Sequence, residues 1–290
     1  MNDLARKGGI TAGQAETAPP VEPLVRGRGV QSVEIAGRLL EALAEAGRPM
    51  MLRDLAAFAA ITPAQAHAYL VSLRKIGLVE QDQALGRYRL GSFALRLGLA
   101  RLRAIDPLRL AAETIGLLSE RLDLMVVIAV WGDFGPTVVQ VHEAATQVHA
   151  NVRAGTVFSL TGTATGWVYA AFGPPNRVEA LIARELADPA HSQRVAAGMG
   201  EGEVRAAIQS AREKGYATTV GRPVPGVAAI SAPVFDHGGQ IAFVVTAIGP
   251  AGLVDTRPES AQVRAVLDYA RALSGKLGHG GMAALAAAGA

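Results

Sequence analysis

The densest run of small polar groups in the chain is Thr161-Gly162-Thr163-Ala164-Thr165-Gly166, three hydroxyls and two glycines ahead of an apolar stretch. A helix starting there would offer unpaired backbone N–H groups and the positive end of its dipole, which suits a carboxylate or another small anion. Thr161 or Thr163 would equally serve as a plain helix cap. A second group of residues has the chemistry of base and phosphate contact. Thr62-Pro63 is a strong helix start, and Ala64, Gln65, His67, Ala68, Ser72 and Arg74 fall on the outward side of the helix that follows. Gln65 has the amide geometry to pair with adenine, and His67 can donate to a guanine acceptor. Arg74, Lys75, Arg87 and Arg89 can reach phosphates or, from a hairpin, the minor groove.

Catalytic constellations are missing from the sequence. There is no Gly-x-Ser-x-Gly elbow, no Walker phosphate loop and no His-Glu-x-x-His pair. The glycines of Gly198–Gly202 follow no strand and do not make a dinucleotide loop. His142 and His149 have only Glu143 between them as a third metal-capable residue, too little for a metal site. The chain lacks cysteine, which removes disulfides, thiolate metal sites and cysteine nucleophiles. No enzyme, no metal and no cofactor are expected.

These residues need elements to position them. Apolar residues recur at helical spacing from Ser32, a candidate N-cap, to Gly47. A short helix over Arg53 to Ala60 faces Leu55 and Phe58 or Ala59 inward. The third helix, from Pro63 to about Ile76, buries Ala66, Tyr69, Leu70 and Leu73. Alternation over 78–81 and 87–90 about a glycine-containing turn predicts a β-hairpin. Three helices and a hairpin make a winged helix-turn-helix. Ser92 to Ile105 is a helix carrying Phe93, Leu95, Leu97, Leu99 and Leu102 nearly all round, so a second copy of the chain is its expected cover.

Asp106-Pro107 ends that helix. Beyond it the pattern predicts helices over 108–122, 163–172, 177–186, 203–214 and 260–277. Strands are predicted at 125–130, 137–141, 148–152, 216–220, 227–234 and 241–248, with turns at 132–136 and 237–239. Strands in hairpins with helices beside them indicate an α+β sensor-like domain. The divisions are an arm at 1–29, a winged helix at 30–91, a helix expected to pair with a second copy at 92–106, an α+β sensor-like domain at 107–277 and a tail at 278–290.

Half of the 290 residues are hydrophobic and 18% are charged, enough apolar material for packed cores. The first 103 residues hold 14 Lys and Arg against 9 Asp and Glu, whereas the rest hold 14 against 16. A basic front third points to an anionic partner such as nucleic acid, and Arg26 and Arg28 close its arm. No apolar run of about 18 residues or secretory core is present, so no membrane contact and a cytoplasmic location are expected.

Four segments together carry a family resemblance: VQSVEIAGRLLEAL, LVSLRKIGLVEQD with GRYRLG, RAGTVFSLTGTATGWVYAAF, and GYATTVGRPVPGVAAISAPVFDHGGQIAFVVTAIGP. In this order and spacing the chain resembles the IclR family of bacterial transcriptional regulators over roughly 31–277. The resemblance implies an N-terminal winged helix on double-stranded operator DNA, a linker helix for dimers or dimers of dimers, and a GAF-like C-terminal domain binding a small effector. The sequence departs from the family at the uncharged start of the recognition helix, 63–68. It departs again over 218–223, where the family usually carries acidic residues and this chain has Thr218-Thr219-Val220-Gly221-Arg222-Pro223, and near Ala229 or Ile230, where the family commonly has cysteine.

The expected effector pocket has Thr161, Gly162 and Thr163 at its helix end, with Val127, Ala129 and Trp131 on one strand side and Ala229, Ser231, Thr246 and Ile248 on the other. Its walls are apolar, so a small aromatic or aliphatic acid is the expected ligand. Trp131 and Trp167 either stack on such a ligand or belong to the core. His149, Asn151 and Arg153 either orient it or are a solvated edge. The rival reading is a metabolite-binding sensor or enzyme whose N-terminal domain mediates protein contacts. A steep salt dependence of DNA binding separates the two.

Overall fold

The computed structural model describes residues 29–144, 152–188 and 199–280. Arg26, Arg28, His149, Asn151 and most of the strand predicted over 148–152 lie outside these ranges.

The N-terminal unit contains α1 (Gln31–Ala46), α2 (Leu52–Phe58), α3 (Pro63–Lys75), β1 (Val79–Gln81) and β2 (Tyr88–Leu90). Its core is formed by Leu39, Leu43, Leu55, Ala66, Leu70, Leu73, Val79 and Tyr88, each at most 5% exposed. Ser32 is not the cap of α1. Val30 holds that position without a side-chain hydrogen bond. Of the two alternatives on α2, Ala59 is buried and Phe58 faces solvent. The hairpin is anchored at its base, where Met50 and Tyr88 exchange backbone hydrogen bonds of 2.9 and 2.8 Å. The wing is thereby fixed to the connection between α1 and α2.

Helix α4 (Ser92–Ala104) follows, and none of its residues is buried. The segment read from sequence as one helix over 108–122 is two, α5 (Pro107–Ala112) and α6 (Ile115–Leu122). The break falls at Thr114, whose hydroxyl donates to the Leu110 carbonyl at 3.2 Å and also contacts the Tyr269 hydroxyl at 3.1 Å. A β-branched residue that turns its hydroxyl back onto the preceding turn competes with helix continuation.

The C-terminal unit is built on a five-stranded antiparallel sheet in the order β4-β3-β7-β6-β5. Its strands are β3 (Met125–Gly132), β4 (Gly135–His142), β5 (Ala217–Val220), β6 (Val227–Phe235) and β7 (Ile241–Pro250). The β3–β4 turn is tighter than the predicted 132–136, since Gly132 already pairs with Gly135. Strand alternation divides the sheet residues between two faces. Val126, Ile128, Ala228, Ile230, Val245 and Ala247 pack with α5, α6 and α10 (Ala261–Lys276). Ala129, Ala217 and Val244 pack on the other face with α7 (Ala164–Phe172), α8 (Pro175–Ala187) and α9 (Glu201–Lys214). This is the α+β arrangement expected from the pattern.

Gly166 in α7 is required by a close approach. A Cβ there would collide with the Ser159 carbonyl and sit 2.6 Å from the Leu160 Cα. Gly166→Ala would gain up to about 1 kcal/mol of helix propensity. It would force backbone apart on backbone, which typically costs about 1–3 kcal/mol or more. The expected result is a lower thermal midpoint for the variant; an unchanged or raised midpoint would contradict this packing.

Candidate functional site

Helix α3 presents the face expected of a recognition helix. Ala64, Gln65, His67, Ala68, Ser72, Arg74 and Lys75 are all exposed, as are Arg87 and Arg89 on the wing. The start of the helix is a complete capping box. Gln65 N–H donates to Thr62 Oγ1 at 3.3 Å, while Gln65 Oε1 accepts from the Thr62 N–H at 3.1 Å. The two-point amide pairing with adenine inferred from sequence therefore requires the cap to open, since only the Gln65 NH2 is free to donate. The Ser72 hydroxyl is turned back onto the Ala68 carbonyl at 3.3 Å.

The basic groups around the wing differ in how far they are engaged. Arg74 donates to Gln81 Oε1 at 2.9 Å, and Arg89 is held by Glu80 at 3.2 Å. Arg87 makes no ion pair with any described residue. Arg87→Ala is therefore expected to weaken operator and random DNA alike, lowering the salt slope by about 0.9 for each phosphate it no longer neutralises. Arg89→Ala should do less, because Glu80 already satisfies that guanidinium. An unchanged slope for Arg87→Ala would remove the wing from the DNA.

The C-terminal unit holds a cavity of about 740 Å³ between the sheet, the start of α7 and α8. Thr163, Ala229, Thr246 and Ile248 line it, as expected from sequence. Val127, Ala129, Trp131, Thr161, Gly162 and Ser231 do not. Val127 packs beneath the cavity with Met125, Val138 and Ile248. Ala129 accepts the Tyr169 phenol at 2.8 Å, and burial pushes that phenol's pKa far up, keeping it a donor. Trp131 stacks edge-on against Tyr169 at 5.7 Å between centroids. Trp167 is buried and donates its indole N–H to the Thr161 carbonyl at 3.1 Å, so it belongs to the core. Arg153 is exposed beside the Thr156 turn.

The main correction concerns the N–H groups assigned to a ligand. Glu185 on α8 is 8% exposed and reaches into the loop before α7. It accepts from the Leu160 and Thr161 N–H groups at 3.1 and 3.0 Å and from the Ser159 and Thr161 hydroxyls at 2.8 Å each. The Gly162 N–H donates to Ser159 Oγ at 3.0 Å. An internal carboxylate thus fills the place read from sequence as an anion site. Thr163 is also committed: its hydroxyl donates to the Ser159 carbonyl at 2.7 Å and caps Gly166 N–H at 2.9 Å. Replacing Thr163 would test the loop before it tested a ligand.

What remains open is one step further along. The N–H groups of Ala164 and Thr165, both lining the cavity, make no hydrogen bond with described residues. Arg184, Arg222 and Asp188 line the same cavity, together with an apolar wall that includes Phe134, Val157, Phe158 and Val227. The hydroxyls of Thr165, Ser231 and Thr246 satisfy one another at the floor, with contacts of 2.8 to 3.4 Å. Sequence reading missed Glu185 and Arg184, and met Arg222 only within the departure at 218–223, without assigning it to the pocket. Only Glu185 left a clear signal, since Val178, Leu181, Ile182 and Glu185 fall on one helical face.

Among the described residues no helix is long and apolar enough to cross a membrane, and no cluster of three metal-capable side chains occurs.

Residues 32–83 match the family model described as the IclR helix-turn-helix domain, and residues 100–275 match that of the bacterial transcriptional regulator IclR C-terminal. The glycerol operon regulatory protein of Streptomyces coelicolor is 31% identical over 280 residues, covering 87% of this chain and 98% of that protein. The crystal structure of Pseudomonas aeruginosa HmgR is 35% identical, with a TM-score of 0.77 over 87% of this chain and 100% of that one. The repressor BlcR of Agrobacterium tumefaciens, at 22% identity and a TM-score of 0.71 over 87% of this chain and 98% of its own, shares the fold. The matched models and relatives describe regulators of transcription, not enzymes. The chain belongs to the IclR family of bacterial transcriptional regulators, with a DNA-binding helix-turn-helix domain at its N-terminus and the family's C-terminal domain after it.

Proposed function

We propose that this regulator responds to a small organic acid held in the C-terminal cavity and acts as a homo-oligomer on double-stranded operator DNA. The observation that carries the ligand class is the cavity itself. Its volume, about 740 Å³, suits a drug-sized or smaller molecule, and its wall is largely apolar. The N–H groups of Ala164 and Thr165 supply oriented donors at a helix start, and Arg222 and Arg184 supply positive charge on a wall that also carries Asp188 and the loop-bonded Glu185. An aromatic or aliphatic body with one carboxylate meets both requirements. The Streptomyces coelicolor relative is named for a glycerol operon, but a polyol would leave the apolar wall around Phe158 and Ile248 without a partner.

The division of labour that follows assigns operator contact to 30–91, pairing of chains to 92–106 and the effector to 107–277. The test is a thermal-shift screen of the full chain against paired carboxylic acids and their amides. Acids should raise the melting temperature and their amides should bind at least about ten-fold more weakly, as expected for a charge-assisted hydrogen bond. Equal binding of acid and amide would refute the anion assignment.

A further inference from the structure

The wing carries an apolar side chain on a rigid support. Leu85 is 63% exposed at the tip between β1 and β2. Asp82 Oδ1 accepts from the Ala84 and Leu85 N–H groups at 2.8 and 3.0 Å, which also holds the Asp82 carboxyl below its ordinary pKa. Gly86 N–H donates to the Asp82 carbonyl, and Asp82 N–H to the Arg87 carbonyl, both at 2.8 Å. Gly86 adopts a φ of 65°, which favours glycine and closes the turn.

The tip is also tied to the recognition helix. Arg74 on α3 donates to Gln81 Oε1 at 2.9 Å, and Gln81 Nε2 donates to the Gly86 carbonyl at 3.2 Å. A scattered surface leucine needs no explanation, but this one stands on a turn braced against folding it back. Beside it Arg87 is exposed and unpaired with described residues, while the first turn of α3 carries no charge.

We propose that Leu85 is a minor-groove wedge: it enters the groove flanking each half-site and partly unstacks one base step, with Arg87 drawn to the groove's negative potential. Apolar side chains inserted between base steps kink the duplex, and flexible pyrimidine–purine steps yield most easily. Specificity would then come partly from DNA deformability at a position offset from the α3 contacts. That offsets the weaker direct readout where the Gln65 amide oxygen is engaged in its cap. The inference rests on the helix-turn-helix domain and is independent of the effector.

The experiment uses the full chain to select duplexes from a randomised library, comparing wild type with Leu85→Ser and Leu85→Phe. Selected duplexes then carry 2-aminopurine, scanned through the flanking positions. Wild type and Leu85→Phe should select a TA or CA step at a fixed offset and brighten the probe there. Leu85→Ser should lose that preference by about ten-fold, the scale of one base-pair mismatch, while keeping its salt slope and thermal midpoint. The same flanking step and fluorescence with Leu85→Ser would overturn the wedge, as would the absence of any flanking preference in wild type.

Discussion

Replacing Leu95 and Leu99 by glutamate is expected to leave a folded monomer that no longer holds operator DNA. Helix α4 contains no buried residue, and Leu95, Leu97 and Leu99 are 65%, 49% and 42% exposed. None of the described residues buries these leucines, and a second copy of the chain is the expected cover for so apolar a helix. Each leucine buried between two copies contributes about 1.5–3 kcal/mol, so two or three per chain supply much of a stable interface. Two glutamates in the same seam would face their own symmetry mates and repel. Operator affinity falls with them, because the two half-site contacts then bind independently. Light scattering at micromolar concentration should give a multiple of the 30.0 kDa chain mass for wild type and the single-chain mass for the variant. A single-chain mass for wild type would contradict the assignment.

The second large effect is expected at Glu185. Its carboxylate receives two backbone N–H groups and two hydroxyls from 159–161. Glu185→Ala leaves these donors facing a buried void, and each unsatisfied buried donor costs about 1–3 kcal/mol before water relieves part of it. A net destabilisation of roughly 3–5 kcal/mol corresponds to a fall on the order of 10 °C for a unit of this size. Glu185→Gln keeps the volume but points an NH2 at some of the donors, so it should fall between the two. Because Ser159 and Glu185 both line the cavity, ligand binding should weaken along with stability. A midpoint within about 2 °C of wild type for Glu185→Ala would show that the clasp contributes little.

These two cases mark what the sequence makes legible. The exposed leucines of α4 can be read directly, because periodicity reports a surface whether or not its partner is present. The wing, the α3 face and the alternation of the sheet are equally accessible through local rules of spacing and capping. Thr163 is legible as a cap position by the same rules. The role of its neighbours is not, because Glu185, which fills their N–H groups, lies more than twenty residues away. An inward-facing glutamate on an amphipathic helix signals a buried polar partner, but periodicity does not name that partner. The split between α5 and α6 is hidden for a similar reason. Thr114 is tolerable in a helix until the distant Tyr269 hydroxyl gives its side chain a second contact. Arg222 follows a glycine in a loop after β5, where nothing in its spacing indicates that it lines a cavity.

The most direct measurement is the salt-dependent affinity of the full chain for duplexes from its own upstream DNA, with and without the carboxylic acid giving the largest thermal shift. DNA affinity should fall steeply with salt, and the acid should change it by about 5- to 150-fold. By linkage, the duplex should change affinity for the acid by the same factor. A shallow salt slope, or an acid that binds the C-terminal cavity yet leaves DNA affinity unchanged, would contradict an effector-responsive regulator.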